Sequence, residues 1–231
     1  MSNICIIPAR GGSKRIPRKN IKNFYGRPII AYAIKVAIDS KIFDDVIVST
    51  DDEEIKKIAI NHGASVPFMR SKKNSNDQAS TFDVLKEVIE WLESCDYKIN
   101  LICCLYPCSP LLKSNDLLKA YNAFKKNKVD SLIPIINYSH PIHRALSLDN
   151  NKNLSMLDKK SYLIRTQDFQ EVFYDAGQFY FYKTDLIKNF NSPFESSVMG
   201  YKLNPLYAQD IDNELDWKIA ELKYKILNEI S

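Results

Sequence analysis

Apolar runs alternate with helical spacing through the first 136 residues of this 231-residue chain. Residues 4–8 (Ile-Cys-Ile-Ile-Pro) are an apolar run and predict a first strand. Residues 28–38 carry apolar side chains at helical spacing. Residues 46–50 predict a second strand, which ends on Asp51-Asp52; either aspartate can cap a helix running to about Asn61. A short third strand is expected over residues 65–68. Over residues 81–91 the pattern is amphipathic, with Val84, Leu85, Val88, Ile89 and Leu92 on one face. Residues 101–105 are continuously apolar, as a strand at the centre of a parallel sheet must be when both its faces are covered. A helix over 117–126 and a strand over 131–136 follow. This rhythm predicts a doubly wound α/β fold with a mostly parallel sheet.

The rhythm breaks over residues 137–174. That stretch is polar, with a hairpin tip expected at Asp149-Asn150-Asn151-Lys152-Asn153. It reads as an insertion that leaves the sheet and returns, so the core is assigned to residues 1–136 and 175–231. Strand character resumes over 178–182. A short helix is expected over 185–189 and a last strand over 201–203. A long helix over 213–229 would place Leu215, Ile219, Leu222 and Ile226 on one side.

Composition adds limits. Hydrophobic residues at 45% and charged residues at 26% are ordinary for a soluble globular chain. A net charge of +4 does not argue for nucleic acid. No apolar stretch approaches the roughly 20 residues that span a bilayer. The N-terminus turns polar by Arg10, which is no signal-peptide pattern, and the expected location is the cytoplasm. Of five cysteines, Cys5, Cys103 and Cys104 lie in apolar runs and read as buried reduced thiols. His140 and His143 lack a nearby cluster of metal ligands and read as loop histidines.

The first candidate chemistry follows the first strand. The segment from Ala9 to Asn20 contains Arg10, Lys14, Arg15, Arg18 and Lys19, with Gly11 and Gly12 near its start. Backbone N–H groups and five cations suit a polyanion such as a triphosphate. No Gly-Lys-Ser/Thr closes a Walker loop, and no Gly-x-Gly-x-x-Gly is present.

The second is Gln209-Asp210-Ile211-Asp212. In an extended segment alternate residues point the same way, so Asp210 and Asp212 can present two carboxylates together. Beside a triphosphate, that pair suggests Mg²⁺ (or Mn²⁺), which takes oxygen ligands and keeps phosphates and waters in its shell. The competing reading is that Asp212 caps the last helix. Ligands of open α/β sheets lie at the carboxyl ends of the strands. That rule gathers the basic loop, Ser49-Thr50-Asp51, Tyr106-Pro107-Cys108-Ser109-Pro110 and the segment around Asp210 about one crevice.

Together these segments resemble the CMP-sialic acid synthetase (acylneuraminate cytidylyltransferase) family. The resemblance rests on residues 8–20, Val48-Ser-Thr-Asp51, Asp77-Gln-Ala-Ser-Thr81, Tyr106-Pro-Cys-Ser-Pro-Leu111 and Asp210-Ile-Asp-Asn-Glu-Leu-Asp216, in family order over nearly the whole chain. It implies a Rossmann-like core, a protruding dimerisation insertion and a homodimer sharing its cleft. It also implies Mg²⁺-dependent transfer of CMP from CTP to an α-keto acid sugar with release of pyrophosphate. Carried over by position, Arg10 and Lys19 would stabilise the triphosphate. Ala9, Gly11, Ser13, Lys14 and Asn20 would build that loop. Arg70, Ser80 and Thr81 would line the nucleotide pocket. Asp210 and Asp212 would hold the metal, with Asp210 also the best candidate base. Tyr106, Arg165, Asp175 and Gln178 would face the sugar.

Two departures fall where the sugar should lie. Tyr174-Asp-Ala-Gly-Gln-Phe-Tyr180 replaces the family's Arg-Pro-Asn-Gly segment, and Tyr106-Pro-Cys replaces Gln-Pro-Thr. The first resembles the subgroup acting on pseudaminic acid, which sets the expected substrate. CMP-Neu5Ac, CMP-legionaminate and CMP-KDO synthesis are alternatives within the same chemistry. A non-catalytic nucleotide-binding regulator and a sugar-1-phosphate nucleotidyltransferase are alternatives outside it.

Overall fold

The first apolar run forms β1 (Ser2–Pro8), paired on both sides, in the computed structural model, which describes residues 1–229. β1 pairs in parallel with β4 (Asp45–Ser49) and with β5 (Ile99–Leu105). Before β4, a small two-stranded ribbon joins β2 (Asn23–Phe24) to β3 (Arg27–Pro28) and feeds α1 (Ile30–Ser40). Then come α2 (Glu53–Asn61), α3 (Thr81–Ser94), α4 (Ser114–Asn127) and β6 (Ser131–Asn137). After β7 (Leu146–Leu148) and β8 (Leu154–Met156), the chain returns as β9 (Phe173–Asp175) and β10 (Phe179–Lys183). It ends with α5 (Thr184–Asn189), β11 (Val198–Lys202) and α6 (Glu214–Glu229).

The main sheet runs β11-β6-β10-β5-β1-β4, with β9 continuing beside β6. β9 and β10 are antiparallel to the rest. The fold is therefore the expected α/β architecture with a mostly parallel sheet. The strands read as unbroken apolar runs because both faces are covered. On one face Cys5, Ile7, Cys103, Leu105, Phe179 and Phe181 pack with residues of α1 and α4. On the other, Ile4, Ile6, Ile102, Cys104, Tyr180 and Tyr182 pack with α3 and α5. Cys5, Cys103 and Cys104 are buried and unbridged, as expected.

Three expectations change. Residues 65–68 form no strand: Ser65 alone bridges to Ile47, and Pro67 has no N–H for a continuing ladder. The strand after the insertion starts earlier and in two pieces. β9 pairs Phe173 with Asn137, and a three-residue offset at Ala176-Gly177-Gln178 separates it from β10. Finally, the apolar side expected along α6 is not its packed face: Leu215, Leu222 and Ile226 are exposed. Trp217, Ala220 and Leu227 are its buried residues. The aromatic Trp217 and Tyr224 pack edge-on against the buried Phe24, and that packing sets the helix rotation.

The insertion leaves at the end of β6 and forms the expected hairpin: β7 pairs with β8 around a tip at residues 149–153. Leu146, Leu148, Leu154, Leu157 and Leu163 on it are exposed. His143 lies flat against Phe169, 4.6 Å between centroids.

Candidate active site

A third apolar cluster fixes the basic loop. Ile16, in the middle of its charges, is buried with Phe24, Ile29, Cys108, Ile211 and Trp217. One apolar side chain thus pins a loop whose charged side chains seek water. Ile211 is buried in the same cluster, which leaves its neighbours Asp210 and Asp212 lining the opposite, open side. Asn20 joins the two ends of the loop: it is buried, its Nδ2 donates to the Arg10 carbonyl at 2.9 Å, and Cys108 donates to its Oδ1 at 3.5 Å.

The result is a cleft of about 580 Å³. Of the residues carried over by resemblance, Arg10, Ser13, Lys14, Lys19, Asn20, Arg70, Ser80, Thr81, Tyr106, Asp210 and Asp212 line it. Ala9 and Gly11 stand behind it. Ala9 is buried and donates to the Ser49 carbonyl, 2.9 Å. Gly11 donates to Asp51 Oδ1 at 2.9 Å. A Cβ on Gly11 would lie 2.7 Å from Asp52 Oδ2, so its small size serves this close approach. Of the five cations, Arg18 turns away, pairing with Asp52 and Glu54. Asp52 is also the cap of α2, accepting from the N–H groups of Glu54 and Ile55. Ser49-Thr50-Asp51 supports the cleft without lining it: Arg70 Nε donates to Ser49 Oγ at 3.0 Å. Burial pushes the Arg70 guanidinium down to about 10, which still leaves it charged at neutral pH.

At the far wall, Lys19 Nζ donates to the Ile211 carbonyl at 2.5 Å and lies 3.9 Å from Asp212 Oδ1. Arg15 pairs with the same Asp212 oxygen at 2.7 Å. Among the described residues, Asp210 has no hydrogen-bonding or ion-pairing partner for its carboxylate. Crowding by surrounding protein, then the charge of Asp212, raises its carboxyl above the usual range. An unpaired anion of this kind fits a cation in the cleft. No group of three or more His, Cys, Asp or Glu side chains gathers to hold a metal among the described residues. Asp210 and Asp212 would thus leave most coordination positions to phosphate and water, as Mg²⁺ accepts. Asp212 is not the cap of α6. Asn213 accepts from the N–H groups of Leu215 and Asp216, and Asp216 accepts in return from Asn213.

The side chains assigned to the sugar separate. Tyr106 lines the cleft; its hydroxyl lies 3.3 Å from Thr81 Oγ1, and burial pushes it up to about 12. Asp175 is exposed but committed, accepting from the Gly177 N–H and from the Tyr180 hydroxyl, each at 2.9 Å. It shapes the turn in which Gly177 has φ 62°, the left-handed region that glycine enters without strain. Gln178 is fully buried. Its Nε2 donates to the carbonyls of Ala176, Gly177 and Gln209, while Oε1 has no partner among the described residues. It ties the β9–β10 offset to the segment carrying Asp210. Arg165 lies on the insertion, exposed, paired with Asp168 at 3.0 Å, and lines no part of this cleft.

Asp77 is the residue that site reasoning missed, although it opens one of the quoted motifs. It pairs with both Arg10 and Lys14. Five clustered cations need counter-charges, and that need was the available signal.

Comparison with known proteins decides the family. The family profile described as Cytidylyltransferase matches residues 4–214. The chain belongs to the cytidylyltransferase family. A curated cytidylyltransferase, the pseudaminic acid cytidylyltransferase of Campylobacter jejuni, is 43% identical over 231 residues, covering 99% of both chains. N-acylneuraminate cytidylyltransferase A of Danio rerio is 32% identical over 222 residues, 94% of this chain and 49% of that protein. The solved structure of CMP:2-keto-3-deoxy-manno-octonic acid synthetase complexed with CTP superposes with a TM-score of 0.72. Its sequence identity is 16%, and 99% of this chain and 100% of that chain are covered, so the two chains share a fold.

Proposed function

We propose that this cytidylyltransferase transfers CMP from CTP to pseudaminic acid and releases pyrophosphate. The full-length identity to a protein named for that activity carries the reading. The cleft supports it: Arg10, Lys14, Arg15, Lys19 and Arg70 line it together with Asp210 and Asp212. The sugar's anomeric hydroxyl would attack the α-phosphorus in line as the bond to pyrophosphate breaks. Arg10, Lys14 and Lys19 would take up charge on the phosphates, mainly as preorganised electrostatic stabilisation. Asp210 is the candidate acceptor for the hydroxyl proton. Asp210 and Asp212 would hold Mg²⁺, or Mn²⁺, which when bound neutralises phosphate charge. EDTA should then abolish activity, and either ion should restore it.

The insertion at residues 137–174 is the proposed dimerisation unit, and a second copy would cover its exposed leucines in an isologous contact. In such a dimer Arg165, remote from its own cleft, would serve the sugar in the partner's. A monomer by light scattering at micromolar concentration would remove this part. A cytoplasmic location fits the absence, among the described residues, of any helix long and apolar enough to cross a membrane. The deciding experiment is a coupled pyrophosphate-release assay with CTP and a panel of nonulosonic acids. Turnover of pseudaminic acid well above Neu5Ac is expected; comparable or higher kcat/KM with Neu5Ac overturns the substrate.

A further inference from the structure

Two of the cations facing the cleft are already occupied. Arg10 meets Asp77 Oδ1 at 2.8 Å, and Lys14 pairs with Asp77 Oδ2. Among the described residues neither cation has another anionic partner. Arg10 also donates to the carbonyl of Asn76 at 3.1 Å, so both contacts come from one short segment. That segment lies between the turn at Lys72–Asn74 and the first residue of α3, with no helix or strand of its own. Asn76 holds its shape locally, accepting from the N–H groups of Gln78 and Ala79. Below it, α3 starts independently. Ser80 and Asp83 form a capping box, so Asp77 can move without unwinding the helix. Asp77 is half exposed, and its two cations hold its carboxyl below the usual range, so it carries its charge at neutral pH.

We propose that Asp77 is an internal competitor for phosphate: its carboxylate bridges Arg10 and Lys14 until a polyphosphate takes both cations over. This rests on the reading that the cleft accepts CTP and gives up pyrophosphate. One carboxylate carries a single negative charge, whereas a triphosphate or pyrophosphate brings several. The exchange therefore favours polyphosphates over weakly charged ligands. A partly exposed ion pair is weak, so the exchange is readily reversible. A carboxylate tethered beside the cations also has a high effective concentration for return once the bond to CMP is made. Its return eases the departure of pyrophosphate. Asp77 thus sets how many phosphate charges a ligand needs and limits product retention.

Titration calorimetry with CTP, pyrophosphate and cytidine separates the possibilities for the wild-type chain, Asp77→Asn and Asp77→Glu. In Asp77→Asn, CTP and pyrophosphate should bind about threefold tighter or more, the scale of losing weak exposed ion pairs. Cytidine, which carries no phosphate, should bind unchanged. Pyrophosphate should inhibit Asp77→Asn turnover at lower concentration, and Asp77→Glu should behave as wild type. Unchanged or weaker pyrophosphate binding in Asp77→Asn overturns the proposal, as does equal tightening of cytidine. Wild-type binding of pyrophosphate but not CTP, with pyrophosphate tighter in Asp77→Asn, supports the role of Asp77. That outcome overturns only the nucleotide assignment.

Discussion

Lys19 donates from Nζ to the carbonyl oxygen of Ile211 at 2.5 Å, across 192 residues of chain. The bond joins the end of the basic loop to the residue between Asp210 and Asp212. One ammonium therefore faces the cleft and also sets the distance between its two walls. Lys19→Ala should cost roughly 10²-fold or more in kcat/KM, the scale of losing a preorganised donor to developing charge. It should also lower Tm, because the Ile211 carbonyl loses its partner. Arg10→Ala should cost as much activity with a smaller change in Tm, since its partners Asp77 and the Asn76 carbonyl are near solvent. Near-wild-type activity of either variant would remove that residue from the reaction.

Asp210 binds its proton more tightly in the folded chain than in the unfolded one. The sign follows from linkage. This group's contribution to stability is fully present below the unfolded carboxyl pKa and is lost as pH rises through the higher folded value. At neutral pH its charge therefore opposes folding. Asp210→Asn should lose most of kcat while Tm at pH 7.5 stays level or rises. Wild-type kcat/KM should decline on acidification from a higher pH than an ordinary carboxylate would give. A pH–rate profile and thermal melts of both proteins check this; a lower Tm with activity kept would make Asp210 structural.

Asp212 and Asn213 are adjacent but separable. Asn213 caps α6, and Asp212 answers Arg15 and Lys19. Asn213→Ala should cost about 1 kcal/mol of stability, the usual loss at a helix cap, with kcat retained. Asp212→Asn should lose activity with little change in denaturation midpoint. Urea titrations alongside turnover distinguish them, and the reverse pattern would restore the cap to Asp212.

Asp175 accepts hydrogen bonds from Gly177 and Tyr180, so a purely structural role is a definite alternative to sugar contact. Asp175→Asn keeps an acceptor for the turn but removes the charge. Steady-state kinetics should show the sugar KM rising more than the CTP KM, because a site that pairs polar substrate groups discriminates strongly. Equal sugar KM together with a lower Tm would assign Asp175 to the turn alone.

The alternation of strands and helices, a polar hairpin after β6 and two charged motifs bound for one cleft are legible along the chain. These follow from local periodicity and from where charges interrupt it. Which side chains the cleft receives depends on the packed chain. Arg18 and Gly11 belong to a charged motif, yet Arg18 turns to Asp52 and Glu54 and the Gly11 N–H donates to Asp51. The apolar stripe Leu215, Leu222 and Ile226 has helical spacing, but Phe24 chooses Trp217 and Tyr224 as the inner face of α6. Gln178 lies in the sugar-side motif, yet the β9–β10 offset turns its amide into the wall, where it holds the Asp210 segment. Each choice rests on partners 31 to 200 positions away in the chain. A one-dimensional pattern supplies the charge or the apolar surface, while the identity of its partner depends on distances that exist only after the sheet has closed.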